Sequence, residues 1–337
     1  MNLVDMHCDT ISELMKKGTG YTLRDNDGCI DLKGLKDAGT IVQLFACYVD
    51  VRSQSSKPVK STITKKDWDY AWEEVQHLLS RLEQELNLIP DFEIHQAKLF
   101  SDIEECIKKG RIAAIATVEE GGILNGEIER LSELYQRGVR LITLTWNYKN
   151  CLGYPNSRNT DIMRKGLTDF GIEVVKQMNQ SGMIVDVSHL SDGGFWDCIR
   201  ESKTPVVASH SNCRPLCGHP RNLTDDMLKA LAEKGGVAGL NFYPFFIKED
   251  GKASMADIAC HALHMIVTAG EDVVSVGSDF DGFSFGNLSS EDSGNEYVFH
   301  VRDMEKLWYC MKAQGITERQ LDKIWSGNAL RVMKEIL

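Results

Sequence analysis

Eight short apolar runs recur along this chain: Leu3–Cys8, Thr40–Tyr48, Ile112–Val118, Arg140–Thr145, Met183–Ser188, Pro205–Ser209, Val237–Asn241 and Val273–Ser278. Each is rich in Val, Ile, Leu, Ala or Thr, and most are too short to be helices. Near-continuous apolarity over so few residues marks a parallel strand, because both of its faces are buried. Amphipathic stretches separate the runs. Asp67–Leu88 carries Trp68, Trp72, Val75, Leu78, Leu79 and Leu82 at helical spacing, and Glu127–Arg137, Thr168–Gln180, Leu190–Ser202, Thr224–Lys234 and Ser254–Ala269 follow. Thr224 and Ser254 are good helix caps, and Gly138, Gly182, Gly235 and Gly270 stand where helices should end. Val301–Gln314 and Thr317–Leu337 read as two or three further helices.

Eight strands alternating with helices predict a (β/α)8 TIM-type barrel with additional C-terminal helices, one domain over residues 1–337. An open doubly wound sheet would usually carry a glycine-rich phosphate loop after an early strand, and neither G-x-G-x-x-G nor a Walker loop occurs. The long polar segments follow strands: Asp50–Lys66, Asn147–Gly166, His210–Leu223, Phe242–Ala253 and Asp279–His300. Segments that precede strands are mostly short, such as Lys203-Thr204 and Glu271-Asp272. Long loops at the carboxyl ends of strands are where a barrel enzyme keeps its site.

Charge and composition narrow the partners. The 337 residues hold 38 Lys+Arg against 49 Asp+Glu, a formal charge of −11, which argues against nucleic acid. No stretch reaches the roughly 18 apolar residues of a membrane span. The start, Met1-Asn2-Leu3-Val4-Asp5-Met6-His7, shows no basic region or long apolar run, so no secretory leader is expected. The ten cysteines are then expected to be reduced thiols in a cytoplasmic protein. A homodimer stays open.

The polar groups at the strand ends carry the chemistry. His7 and Asp9 end the first strand, Glu119 follows the third, His189 the fifth, His210 the sixth and Asp279 the eighth. In a barrel all six ring one mouth. Three imidazoles and three carboxylates suit a hard or borderline divalent metal. Alternation along the strand turns His7 and Asp9 the same way and Cys8 the other. Five ligands in two imidazole-containing halves suggest two ions, with Glu119 the natural bridge and Glu120 beside it a substitute.

Asp5-Met6-His7-Cys8-Asp9, Val118-Glu119, Leu141 to Thr145, Val187-Ser188-His189, Ser209-His210-Ser211, Arg221-Asn222-Leu223-Thr224-Asp225-Asp226, Asn241-Phe242-Tyr243 and Gly277-Ser278-Asp279-Phe280-Asp281-Gly282 occur in that order. With these signposts the chain resembles the renal, or membrane, dipeptidase family of zinc metallopeptidases within the amidohydrolase-like barrels, from Val4 to about Met333. The resemblance implies two zinc ions per chain, one held by His7, Asp9 and Glu119, the other by Glu119, His189 and His210. It implies that a zinc-bridging hydroxide hydrolyses a dipeptide substrate, that Arg221 grips its free C-terminal carboxylate, and that Asp279 handles the proton. A planar guanidinium is the best bidentate partner for a carboxylate, and a strand-end Asp without a metal suits acid/base work. Tyr243 is expected to line the pocket.

One position departs from the family pattern. Where well-known members carry a His that helps bind the substrate carbonyl oxygen, this chain reads Thr145-Trp146-Asn147. The Trp146 indole N–H or the Asn147 amide is left as the nearby donor. The competing readings are another amidohydrolase-type hydrolase, acting on an N-acyl amino acid, lactone or phosphoester, and a metal-binding scaffold without turnover. His261 and His264 are expected to be packing or surface histidines, and Cys213, Cys217 and His219 to be loop walls near Arg221.

Overall fold

The computed structural model describes residues 1–52, 62–284 and 297–337. The expected loops Asp50–Lys66 and Asp279–His300 therefore fall partly outside the described residues. Among the described residues nine strands form: β1 Leu3–Asp5, β2 Thr40–Tyr48, β3 Ile94–Gln96, β4 Ile112–Glu119, β5 Val139–Thr143, β6 Ile184–Asp186, β7 Val206–Ala208, β8 Val237–Leu240 and β9 Val274–Val276. Every ladder between them is parallel. Eight close into a ring, β1-β2-β4-β5-β6-β7-β8-β9, through pairings of β2 with β4 and of β1 with β9. This is the expected (β/α)8 barrel, wrapped by helices that include Lys65–Leu88, Asp169–Ser181 and Met255–Ala269.

The ninth strand, β3, was not expected. It pairs with Ile112–Ala114 of β4, whereas β5 pairs with β4 from Ala116 onward. Since β2 occupies the other edge of β4 over Ala113–Glu119, β3 and β5 divide one edge between them. Three residues, two of them polar, carry too little periodicity to announce such a strand.

Successive side chains of β2 feed two separate apolar clusters, Val42 and Leu44 in one, Phe45 and Cys47 in the other. That is why the runs look continuously apolar. The helix Asn328–Ile336 joins the first cluster through Ala329, Val332, Met333 and Ile336. Its Asn328 amide donates to the carbonyls of Glu271 and Val274, both 2.8 Å away, and so pins the C-terminal helix to β9. The caps at Thr224 and Ser254 form as the sequence suggested, accepting from the Met227 and Asp257 N–H groups. Among the described residues no helix is long and apolar enough to cross a membrane.

β7, β8 and β9 approach so closely that two glycines are required. A Cβ on Gly239 would lie 1.9 Å from the Ser209 carbonyl oxygen, and one on Gly277 would lie 1.7 Å from it. No rotamer relieves a clash with backbone. Gly277→Ala is expected to lower stability by about 1–3 kcal/mol or more, as overpacking does. Urea unfolding of parent and variant measures this; equal midpoints would show that the strands can move apart freely.

Candidate metal centre and active site

The closed ring delivers the expected residues to one mouth. Glu119 is the last residue of β4, while His7, His189, His210 and Asp279 each stand two or three residues past a strand end. Glu119 lies at the centre. Its Oε2 is 3.4 Å from His7 Nε2, and its Oε1 is 3.0 Å from His189 Nε2 and 3.5 Å from His210 Nε2. Asp9 Oδ2 is 3.4 Å and Asp279 Oδ1 3.8 Å from His7 Nε2. Three donor groups each fall within 4.8 Å: His7, Asp9 and Glu119; Glu119, His189 and His210; and His7, His210 and Asp279.

These atoms suit a cation better than they suit each other. Both ring nitrogens of His7, Asp9 Oδ1 and Glu119 Oε1 are buried without a hydrogen-bond partner. Unpaired buried polar atoms are costly, and a carboxylate–imidazole set is the donor set of a zinc-like ion. The residues present therefore fit a metal.

Burial and neighbouring charge set the protonation states. Burial disfavours the His7 imidazolium, but Glu119 and Asp9 outweigh it and hold His7 well above the usual histidine range. Burial pushes Glu119 up, yet His7, His189 and His210 together keep it well below the ordinary value. Burial, with Arg221 nearby, lowers His189 to about 4. Burial and the His7 charge hold His210 well below its ordinary value. His189 and His210 are thus neutral, each with a lone pair to offer. Burial raises Asp9 to about 6 and Asp279 to about 7.

Several residues that the sequence reading passed over hold this arrangement. Asp5 Oδ1 accepts from the His7 and Ser278 N–H groups, and Oδ2 from the Ser278 hydroxyl and the Gln43 amide. Asp186 Oδ1 accepts from the Ser188 and Ser209 N–H groups. Each acid ties one strand end to the next. The signal was available: a carboxylate inside an apolar run must be fully hydrogen-bonded. Asn241 donates to Asp279 Oδ2 at 2.9 Å. Glu120 is a loop organiser: with φ 101°, it accepts from the Gly122 and Trp146 N–H groups and from Asn150. That geometry turns Glu120 away from the bridging role considered for it.

His189, Asp279 and Asp281 also occupy left-handed backbone, at φ 66°, 62° and 65°. Such conformations cost on the order of 1–3 kcal/mol each and need support from their surroundings. Asp281 supplies some: its carboxylate accepts from the Thr10 hydroxyl and the Cys29 N–H, both at 2.7 Å. Gly282 admits no side chain, since a Cβ there would lie 2.3 Å from Asp9 Oδ2 and 2.7 Å from Asp279 Oδ1.

A cavity of about 410 Å³ opens onto the mouth between Tyr48, Trp146, Asn147, Tyr243, Phe246 and Phe283, with Asp9, Glu119, His189 and Asp279 in its wall. Trp146 packs at a tilt on Tyr48 and edge-on against Tyr148, at centroid distances of 5.0 and 5.4 Å. Asn147 Oδ1 lies 3.2 Å from His189 Nδ1. Tyr243 packs on Phe246 and Phe283. Arg221 is buried beneath Phe246, donating to Ser211 Oγ and the His210 carbonyl, with its Nε left without a partner. His261 is a satisfied core residue, bonded to the Cys213 N–H and the Ile247 carbonyl, and His264 pairs with Asp225. The thiols of Cys213 and Cys217 donate to the carbonyls of His261 and Phe245, and His219 Nδ1 accepts the Arg221 N–H. They form the loop wall that was expected.

The family model for membrane dipeptidase, peptidase family M19, matches residues 1–337. A Klebsiella pneumoniae protein, named as an uncharacterised protein of the pqqA 5' region, is 36% identical over 246 residues, 70% of this chain and 86% of that protein. A Schizosaccharomyces pombe protein named an uncharacterised dipeptidase is 31% identical over 312 residues, 90% of this chain and 71% of that protein. Among solved structures, the metallopeptidase of family M19 called dipeptidase AC superposes with a TM-score of 0.87 at 25% identity, over 100% of this chain and 98% of that one. A Rhodobacter sphaeroides metallopeptidase, liganded with a phosphinate mimic of L-Ala-D-Ala, shares the fold with a TM-score of 0.84 at 24% identity, over 100% and 99%. A full-length family match, joined to a buried histidine–carboxylate mouth that fits a metal, identifies the chain as a metallo-dipeptidase belonging to the membrane dipeptidase family M19.

Proposed function

We propose that this chain hydrolyses dipeptides with a free C-terminal carboxylate, using two zinc ions. The observation that carries the reading is Glu119, which faces His7 with one carboxylate oxygen and His189 and His210 with the other. His7, Asp9 and Glu119 would hold one ion; Glu119, His189 and His210 would hold the other. When bound, the pair supplies Lewis acidity towards the scissile carbonyl and a water of lowered pKa.

The chain's own groups do the rest. Arg221 offers a buried fork to the substrate carboxylate and orients it. Asp279, fixed through Oδ2 by Asn241, takes a proton at its free oxygen and returns it to the departing amine. Asn147 turns His189 by accepting at Oδ1, and its amide N–H and the Trp146 indole N–H, both on the cavity wall, are the donors offered to the developing oxyanion. Tyr243 walls the cavity. A reducing, cytoplasmic setting accords with ten unpaired cysteines.

Elemental analysis after zinc reconstitution is expected to give two zinc per chain, with His189→Ala retaining about one. A value near zero in the parent would end the two-ion reading. On a substrate pair, the free dipeptide is expected to be cleaved and its C-terminal amide hardly at all, and Arg221→Lys to lose at least about tenfold in kcat/KM because the bidentate fork is gone. Equal turnover of acid and amide would favour an N-acyl or ester substrate.

Asp279 makes a separate prediction about stability. Its pKa of about 7 in the folded state exceeds the ordinary 3.8, so between those values the folded metal-free protein binds a proton that the unfolded chain releases. The associated stability is present below the lower value and is lost as pH rises through the upper one. Metal-free Asp279→Asn should therefore gain stability relative to the parent between about pH 4 and about pH 8. Urea unfolding at both pH values measures the difference; a gap that stays constant would remove the burial account.

A further inference from the structure

We propose that Asp186 and Ser209 form a relay that fixes which nitrogen of His210 carries its proton, and so presents Nε2 to the mouth as a bare lone pair. The inference rests on the metal-centre reading above, but its first readout needs no metal.

The geometry is a chain of three groups. His210 Nδ1 lies 2.7 Å from Ser209 Oγ, and Ser209 Oγ lies 2.6 Å from Asp186 Oδ2. All three residues are fully buried. Ser209 has one proton and two lone pairs. Asp186 already takes two backbone N–H groups on Oδ1 and the Thr143 hydroxyl on Oδ2 at 2.6 Å. An acceptor so committed leaves the Ser209 proton one place to go, onto Oδ2. Ser209 Oγ must then accept from its other neighbours, which are His210 Nδ1 and, at 3.3 Å, the Ser188 hydroxyl. Ser188 Oγ is itself an acceptor for the His210 backbone N–H at 3.1 Å. Every proton in the cluster has one direction. The imidazole is therefore protonated at Nδ1, and the Nε2 lone pair faces the mouth, 3.1 Å from His189 Nε2 and 3.5 Å from Glu119 Oε1, an arrangement that a cation among the three would satisfy.

Metal-ligating histidines commonly donate their second nitrogen to a carboxylate, and losing that partner weakens metal affinity. Here a serine stands between the two, so Asp186 acts as a positioning residue at one remove. His7 offers the contrast, since its Nδ1 has no partner.

The test uses the full chain, labelled with 15N-histidine and stripped of metal by a chelator. In the parent, the His210 nitrogen shifts should show Nδ1 protonated and Nε2 bare. In Asp186→Asn, the new amide can donate to Ser209 Oγ, which turns the serine proton onto Nδ1 and moves the ring proton to Nε2. Zinc titration against a chromogenic chelator should show one of two ions weakened about 10–100-fold in Asp186→Asn and in Ser209→Ala, the other unchanged. Thr143→Val removes a different bond to the same Asp186 oxygen. It should lower the unfolding midpoint while leaving the tautomer and both affinities as in the parent.

Nε2 protonated in the metal-free parent would overturn the relay. So would a Ser209→Ala variant that holds both ions at parental affinity, or a Thr143→Val variant that switches the tautomer. Ser209→Ala carries the test if Asp186→Asn does not fold. If the parent takes up no zinc yet keeps Nδ1 protonated, the metal-centre reading fails and the relay stands.

Discussion

The mouth of this barrel is organised around one buried carboxylate. Glu119 sits among three imidazoles with its side chain almost wholly out of water. An ion taken out of water loses several kcal/mol of hydration, which only close counter-charge and hydrogen bonds offset. The Glu119–His7 attraction offsets part of it, and so each protonation state depends on its neighbours. His7 is held charged because Glu119 and Asp9 face it. The His7 charge and burial in turn keep His210 neutral. The arrangement is built from groups delivered by five different strands, so its geometry can be no better than the ring that carries them.

That dependence explains the investment in backbone anchoring just below the mouth. Asp5 and Asp186 occupy equivalent places, each at the end of a short strand and each clasping a serine just past the end of the adjoining strand, Ser278 or Ser209. Asn241 and Asp281 do comparable work higher up. Left-handed residues at His189 and Asp279 swing their side chains inward immediately after the ladder ends. Rigid strands with strained first turns place side chains more accurately than long loops can.

The parts legible in the sequence were those with strong local signals. Eight apolar runs foretold eight barrel strands, and strand-end position with side-chain chemistry singled out His7, Asp9, Glu119, His189, His210 and Asp279, which the structure brings to one mouth. β3 escaped because Ile94–Gln96 is too short to show a period. Asp5 and Asp186 escaped because they lie inside the apolar runs Leu3–Cys8 and Met183–Ser188 and not at the strand ends where a barrel keeps its site, although an acid within an apolar run is itself the anomaly. Glu120 lay beyond reach, for nothing in the residue types announces a φ of 101°. Nor could spacing reveal that Asn147 lies against His189, since that contact joins two loops 42 residues apart.

The ring is closed by a short seam. β1 meets β9 through the single registered pair Asp5 and Val276, which joins the first and last strands of the barrel. Loop-closure entropy makes such a pairing among the slowest to form. His7 and Asp279 stand on opposite sides of this seam, so the complete mouth exists only after strands some 270 residues apart in sequence have met. Whatever binds across it recognises the closed ring alone and draws the folding equilibrium towards closure by mass action. The mouth is thereby also a clasp: it forms only once the last barrel strand has docked on the first, and a barrel truncated before β9 has nothing to fasten.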